Sequence, residues 1–200
     1  MRKDIDIKKL LGAMNLLGHH VFENDSKPYN VNIVAVRSDN PIPNKFNDLL
    51  CIFWKYEGIW NMVQQQCTTL AGIPWMRDPM NPKGCAILKE GQYVSSWRVG
   101  MHRGKYKALV QVKSIDVYRD NDKDLEYDML ESSVETGMFG INLHRASSKT
   151  ETMDVNKFSA GCIVTQDPHE YDVFMKICDE AVEVWGNSFT VALIKESNIQ

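Results

Sequence analysis

The sequence predicts a mainly β fold with helices, of the α+β class, built as one domain. Segments rich in Val, Ile, Tyr and Trp recur from residue 31 to residue 146 between breaks of proline, glycine and asparagine, which is typical of successive strands. One well-marked helix and a final β-rich segment follow them. The 200 residues, 44% of them hydrophobic, suffice for one sizeable core.

The first predicted element is a helix near the amino terminus. Apolar residues recur at helical spacing and Gly18 supplies a stop; they are Ile7, Leu10, Leu11, Met14 and Leu17. The polar stretch 23–28 then interrupts the chain. We therefore assign residues 1–28 to an N-terminal helical extension and residues 29–196 to the main domain.

The remaining elements are strands and one late helix. The strand-forming segments are 31–37, 49–56, 85–104, 108–120, 138–146 and 188–194. The late helix begins at Asp167 and Pro168, a capping residue and a residue suited to the first turn, with Glu170 completing a capping-box pattern. Gly186 ends it.

Composition excludes several classes of function. A formal net charge of −3 creates no attraction for nucleic acid, and no apolar run approaches the roughly 20 residues of a membrane span. The start of the chain lacks the apolar segment of a signal peptide. The five cysteines show no Cys-x-x-Cys spacing, so we predict free thiols, a reducing compartment and no metal site.

One cysteine differs from the others in its sequence context. Cys51 and Cys178 fall on apolar faces of predicted elements, whereas Cys162 follows the small residues Ser159, Ala160 and Gly161. A thiol becomes a good nucleophile when a nearby imidazole takes its proton, and His144, at the end of a predicted strand, is the best-placed histidine. Backbone amides around Gly161 could form an oxyanion hole. The alternative is a small buried thiol that only fills the core.

The pattern from His144 to Cys162 resembles the L,D-transpeptidase (YkuD-like) catalytic domain. That family carries a histidine, a spacer of about 14 to 17 residues and Ser/Thr-His-Gly-Cys. Here residues 145–158, a spacer of 14, separate His144 from Ser-Ala-Gly-Cys at 159–162. Looser similarity extends from Val31 to Leu193. The variant "INLHRA…FSAGC" is also similar to bacteriophage-associated proteins that bear this domain.

The resemblance implies a β-sandwich and a cysteine acyl-enzyme that acts on peptidoglycan stem peptides without a cofactor. By position, Cys162 is the nucleophile and His144 its base, oriented by the backbone carbonyl of Arg145. The amides of Gly161 and Cys162 would stabilise the oxyanion. Ser159 would shape the turn and contact substrate.

Two departures from the family pattern favour cleavage over transfer. Ala160 replaces the usual histidine, and "IVT" follows Cys162 in place of the usual polar or arginine-containing tail, at positions that the family's transpeptidases use near the acyl pocket. We therefore expect a stem-peptide cleaving enzyme, an L,D-endopeptidase or carboxypeptidase such as a phage lysin. It would be made in the cytoplasm, delivered by a holin or a virion, and act at the cell wall. The alternatives are an L,D-transpeptidase and a non-catalytic virion protein with the same fold.

Two further groups of residues have both a functional and a structural interpretation. His102, Arg103 and Tyr106 could bind a stem-peptide carboxylate together with Arg145 and Ala160, or could form a solvated turn. The alternating Asp120, Asp122 and Asp124 resemble part of a calcium loop, but Leu125 stands where such a loop needs glycine. A solvated hairpin is the preferred interpretation of that segment.

Overall fold

The structure is a computed structural model that describes residues 4–200. Its helices are α1 (Ile7–Leu16), α2 (Ile73–Arg77) and α3 (Pro168–Trp185). Its strands are β1 (Asn32–Arg37), β2 (Asp48–Tyr56), β3 (Ile59–Thr68), β4 (Cys85–Leu88), β5 (Gly91–His102), β6 (Tyr106–Gln111), β7 (Ile115–Asp120), β8 (Glu135–Gly137), β9 (Leu143–Arg145), β10 (Ile163–Thr165) and β11 (Phe189–Lys195). The predicted α+β class, mostly sheet with few helices, is confirmed.

The main sheet closes into a barrel of eight strands in the order β1-β11-β5-β6-β9-β10-β3-β2. Neighbouring strands run antiparallel except for β1–β11 and β9–β10, which run parallel. Alternate side chains of the strands point inward and form the main core, which includes Ile33, Leu50, Trp97, Leu109, Leu143, Ile163, Val191 and Leu193. The site described below lies where β9 and β10 meet.

Helix α1 covers one side of the barrel. Asp6 caps α1 by accepting hydrogen bonds from the backbone N–H groups of Lys8 and Lys9. The buried face of α1 packs on residues of β1, β2 and β11 in a second core cluster. Helix α1 therefore shares a core with the barrel.

Helix α3 packs against the main core through one apolar face. Buried residues on that face include Tyr171, Phe174 and Cys178. The predicted ends are confirmed, because Asp167 accepts a hydrogen bond from the His169 N–H and Gly186 follows the last turn with a φ of 88°. The two residues between β10 and α3 are therefore fixed by the pairing of β10 on one side and by the Asp167 cap of α3 on the other.

A second sheet of three strands, in the order β4-β7-β8, lies beside the barrel. Arg37, at the end of β1, joins the two sheets. Its guanidinium donates hydrogen bonds to the Leu88 carbonyl at 2.8 Å and to Glu90 at 2.9 Å, while its Nε donates to Thr69 at 2.8 Å. Thr69 in turn donates to the buried carboxylate of Asp48 at 2.7 Å from both its N–H and its hydroxyl.

Several strand predictions differ from the structure. The sequence analysis did not assign β3, β8 or β10, and each of the predicted segments 85–104 and 108–120 comprises two strands, one in each sheet. Strand β3 pairs with β2 from Ile59 to Cys67 across the turn Glu57–Gly58. Both turn residues have positive φ values, 50° and 78°, as a tight hairpin turn requires. In the segment 138–146, only β9 is a strand.

The five cysteines are all free, and Cys51, Cys67, Cys85 and Cys178 are buried, as predicted for Cys51 and Cys178. Across residues 4–200, none of the helices combines the length and the apolar character that crossing a bilayer requires.

Candidate active site

The fold places His144 on β9 and Cys162 directly before β10, the parallel strand beside it. Val164 of β10 pairs with His144 of β9, and the N–H of Ile163 donates to the Asn142 carbonyl at 3.0 Å. Cys162 therefore lies opposite Asn142, two residues from the position opposite His144. Because side chains two residues apart along a strand share a face, Cys162 and His144 project from the same side of the sheet.

The ring of His144 is held by a backbone carbonyl, as the family resemblance implies. Its Nδ1 lies 2.8 Å from the Arg145 carbonyl oxygen and 3.1 Å from the Tyr106 hydroxyl, which also donates to that carbonyl at 3.2 Å. A carbonyl can only accept, so Nδ1 carries the proton and Nε2 keeps its lone pair. His144 therefore has the tautomer that a general base needs.

Nε2 of His144 has no hydrogen-bond partner within residues 4–200, where the one fully buried side-chain nitrogen without a partner belongs to His19. The lone pair of Nε2 is therefore uncommitted, although the residue as a whole is only 3% exposed.

The surroundings of His144 keep its imidazole neutral. The pKa of its imidazole is lowered to about 3, mainly by burial and also by the positive charges of His102, when protonated, Arg103 and Arg145, while the hydrogen bond to the Arg145 carbonyl acts in the opposite direction. The side chain is only 3% exposed. At neutral pH the ring is therefore available to accept a proton.

The thiol of Cys162 is protonated in this state. Burial raises its pKa, while the Asn142 backbone N–H and the charge of Arg103 act in the opposite direction. Its Sγ donates to the Gly140 carbonyl at 3.5 Å, and no hydrogen bond within residues 4–200 joins it to His144. Proton transfer therefore requires the thiol to leave Gly140 and turn toward Nε2.

The turn before Cys162 depends on Gly161. A Cβ at this position would lie 2.1 Å from the Ala86 carbonyl oxygen, and the φ of 127° also disfavours other residues. The buried hydroxyl of Ser159 accepts from the Gly161 N–H at 3.1 Å and donates to the Cys162 carbonyl at 2.8 Å. The Gly161 amide, expected to face an oxyanion, is engaged by Ser159 here, which leaves the Cys162 amide as the candidate donor.

The hairpin between β5 and β6 brings the other predicted residues to the site. His102 stacks on His144 with ring centroids 4.0 Å apart and an interplanar angle of 27°. Arg103 is exposed at the tip of the turn, and its charge acts on both Cys162 and His144. Tyr106 anchors the Arg145 carbonyl as described above.

Arg145 and Ala160, which the sequence analysis placed in contact with substrate, have different surroundings in the structure. The guanidinium of Arg145 lies 4.2 Å from the Tyr106 ring centroid and 5.7 Å from that of Tyr171, so its side chain stacks on aromatic rings. Ala160 is half-buried beside the turn. Arg145 contributes its backbone carbonyl to the site and, through its charge, helps to lower the pKa of His144.

The sequence matches no family model, no curated protein and no solved structure. The resemblance to L,D-transpeptidases therefore rests on the sequence pattern from His144 to Cys162 alone.

The acidic loop forms a different set from the predicted one. Carboxylate oxygens of Asp120, Asp122 and Asp128 lie within 4.8 Å of one another, whereas Asp124 accepts a hydrogen bond from the Glu126 N–H at 2.6 Å. Burial raises the pKa of Asp120 to about 6, and the neighbouring carboxylates contribute to the rise. The loop is remote in sequence from the histidine and cysteine strands.

Proposed function

We propose that this protein is a cysteine-dependent enzyme of the L,D-transpeptidase type that cleaves peptidoglycan stem peptides. The observation that carries the proposal is the tautomer of His144, fixed by the Arg145 carbonyl, with a free Nε2 on the same sheet face as Cys162. The proposal takes the eight-stranded barrel, together with the three-stranded sheet beside it, as this chain's form of the family's β-sandwich.

In the proposed reaction, substrate displaces the thiol from Gly140 and Cys162 transfers its proton to Nε2 of His144. The thiolate attacks the peptide carbonyl, and the Cys162 amide stabilises the oxyanion. The imidazolium then protonates the leaving amine, and the acyl-enzyme remains. The resting thiol and neutral imidazole become an ion pair only during the reaction, since the raised pKa of Cys162 and the lowered pKa of His144 both oppose it beforehand.

Water resolves the acyl-enzyme in this proposal, giving hydrolysis. Ala160 and the apolar residues after Cys162 provide no polar side chains to hold a second amine. Arg103, exposed at the hairpin tip, is suited to bind a substrate carboxylate. Delivery to the cell wall by a holin or a virion remains part of the proposal, on the strength of the similarity to phage-associated proteins.

Acylation by a carbapenem tests the nucleophile. Cys162 is the least buried of the five cysteines, so accessibility alone would make it the preferred target. The informative measurement is therefore how far the acylation rate of Cys162 depends on His144. We expect the acylation rate of Cys162 at pH 7 to fall at least about tenfold in His144→Phe. An equal rate in the two proteins would contradict the base role.

Incubation with purified stem peptides separates the possible reactions. We expect shortened peptides with and without an added amine, and none with Cys162→Ala. A new amide formed only with the amine would identify a transpeptidase instead.

The second candidate is a non-catalytic virion protein. The hydrogen bond from Cys162 to Gly140 and the raised pKa of the thiol favour it. Unchanged peptides under both conditions, with no dependence of acylation on His144, would support this candidate.

A further inference from the structure

We propose that His102 is a positioning residue for His144, holding the base through a stacked neutral ring; this inference rests on the proposed function. The stacked pair lies at the junction of β5, β6 and β9, where His102 is 7% exposed and His144 is 3% exposed. The orientation of His102 is set by its contact with Asn142, and that of His144 by its contacts with Tyr106 and the Arg145 carbonyl.

The protonation of His102 follows from its contact with Asn142. The side-chain oxygen of Asn142 accepts from the Gln111 backbone N–H at 3.0 Å, so its NH₂ group is the atom that faces His102 Nδ1, at 3.1 Å. An NH₂ group can only donate, so Nδ1 of His102 must be the acceptor. His102 is therefore neutral, with its proton on Nε2.

The two stacked rings consequently have opposite tautomers. His144 carries its proton on Nδ1, facing the Arg145 carbonyl, and His102 carries its proton on Nε2. Protonation of His102 at Nδ1 would place an N–H against the Asn142 NH₂ group. Asn142 thus keeps positive charge away from the base at the moment when His144 itself must become an imidazolium.

The flat face of His102 also restricts rotation of the His144 ring. Tyr106 and the Arg145 carbonyl hold one edge of that ring through Nδ1, and His102 covers one face at 4.0 Å between centroids. Without the stacked face, the ring could turn and exchange the hydrogen-bonding roles of its two nitrogens. A neutral π face also favours the imidazolium that forms during catalysis.

Long-range ¹⁵N–¹H spectra of the histidine rings test this role directly, in the full-length protein at pH 7. His102→Phe keeps a flat ring, His102→Ala removes it, and His102→Leu serves if the alanine variant does not fold. His169→Ala, at an exposed position in α3, is the matched control. We expect a single Nδ1–H tautomer of His144 in the wild type, His102→Phe and His169→Ala, and an averaged tautomer in His102→Ala or His102→Leu.

The rates should follow the tautomer. We expect Cys162 acylation and kcat for stem peptides to fall about tenfold in His102→Ala, with KM unchanged, and to stay within about threefold in His102→Phe. An unchanged tautomer and rate in both the alanine and leucine variants would overturn the inference. If no variant or wild-type protein cleaves peptides but the tautomer still changes, the proposed function fails and the positioning role stands.

Discussion

Two clusters of buried polar groups in this protein are built in opposite ways. In the Arg37 cluster, a guanidinium that is 2% exposed contacts the carboxylate of Glu90 and is linked through Thr69 to that of Asp48. In the histidine cluster, His102 and His144 are both buried and neutral, without a carboxylate among their hydrogen-bond partners in residues 4–200.

We interpret the difference as one between a structural role for the Arg37 cluster and the proposed chemical role for the histidine cluster. The Arg37 cluster joins the barrel to the second sheet, and its charges compensate one another, although burial still raises the pKa of Asp48. The histidine cluster is uncharged at rest, and one ring nitrogen of His144 has no hydrogen-bond partner within residues 4–200. A buried ionisable group with a strongly shifted pKa and an uncommitted atom is a candidate for proton exchange.

Breaking the Arg37 cluster should give the largest effect on stability. Arg37→Met leaves the Asp48 and Glu90 carboxylates without their buried cation, so we expect the free energy of unfolding to fall by about 4 kcal/mol. Chemical denaturation measures this loss. Lys45→Met is the control, since Lys45 and Asp154 form an exposed pair that should contribute under about 1 kcal/mol. Equal losses in the two variants would contradict the assignment of Arg37 as the joint between the sheets.

The turn that presents Cys162 should be the next most sensitive feature. Gly161→Ala places a methyl group against the Ala86 carbonyl at a positive φ, and we expect about 3 kcal/mol of destabilisation. Gly104→Ala is the matched control, because Gly104 also has a positive φ, 69°, but open space around its Cβ position. It should lose only about 1 kcal/mol from backbone strain. A similar loss at both glycines would show that the contact with Ala86 is unimportant.

The uncharged state of the histidine cluster should appear as acid sensitivity. The folded pKa of His144 is about 3 and that of an unfolded histidine is about 6.5. Between these values the unfolded chain binds a proton that the folded protein does not. Stability from this group is therefore full above pH 6.5 and is lost as pH falls toward 3, by about 1.4 kcal/mol for each pH unit.

His144→Phe removes that contribution. We expect the unfolding free energy of the variant to depend less steeply on pH between 6.5 and 5, measured by urea denaturation at several pH values. Parallel curves for wild type and variant would mean that His144 titrates normally in the folded state, and the contrast between the two clusters would then disappear.

Much of the fold was predictable from local patterns. Asp167 and Gly186 mark the ends of α3 because capping depends on a few adjacent residues. Strand β3 was missed because its polar run Gln64–Gln66 gives no strong strand signal, although pairing with β2 on one side and β10 on the other requires an extended conformation. Tertiary pairing overrides local preference there.

The sequence analysis named His144, Cys162 and the Arg145 carbonyl, but not the contacts that His102 and Asn142 make with one another and with His144. The spacing from His144 to Cys162 is a feature of one continuous segment. The stacking of His102 on His144 and the hydrogen bond from Asn142 join residues about 40 positions apart, and neither leaves a pattern in the sequence. The acidic loop is another example. The alternating sequence positions suggested a group of Asp120, Asp122 and Asp124, whereas in the structure the carboxylate of Asp128, not that of Asp124, lies beside those of Asp120 and Asp122.

The short strands that carry the site also form the weakest joins of the barrel. Strand β9 pairs with β6 at a single position, Leu109 with Leu143, and β10 pairs with β3 at two, whereas the β2–β3 hairpin is paired at nine. Local opening should therefore start at this seam, and amide hydrogens of residues 143–145 and 163–165 should exchange sooner than those of β2. In the proposed function, such opening would widen the surroundings of Cys162 for a stem peptide while the rest of the barrel stays closed.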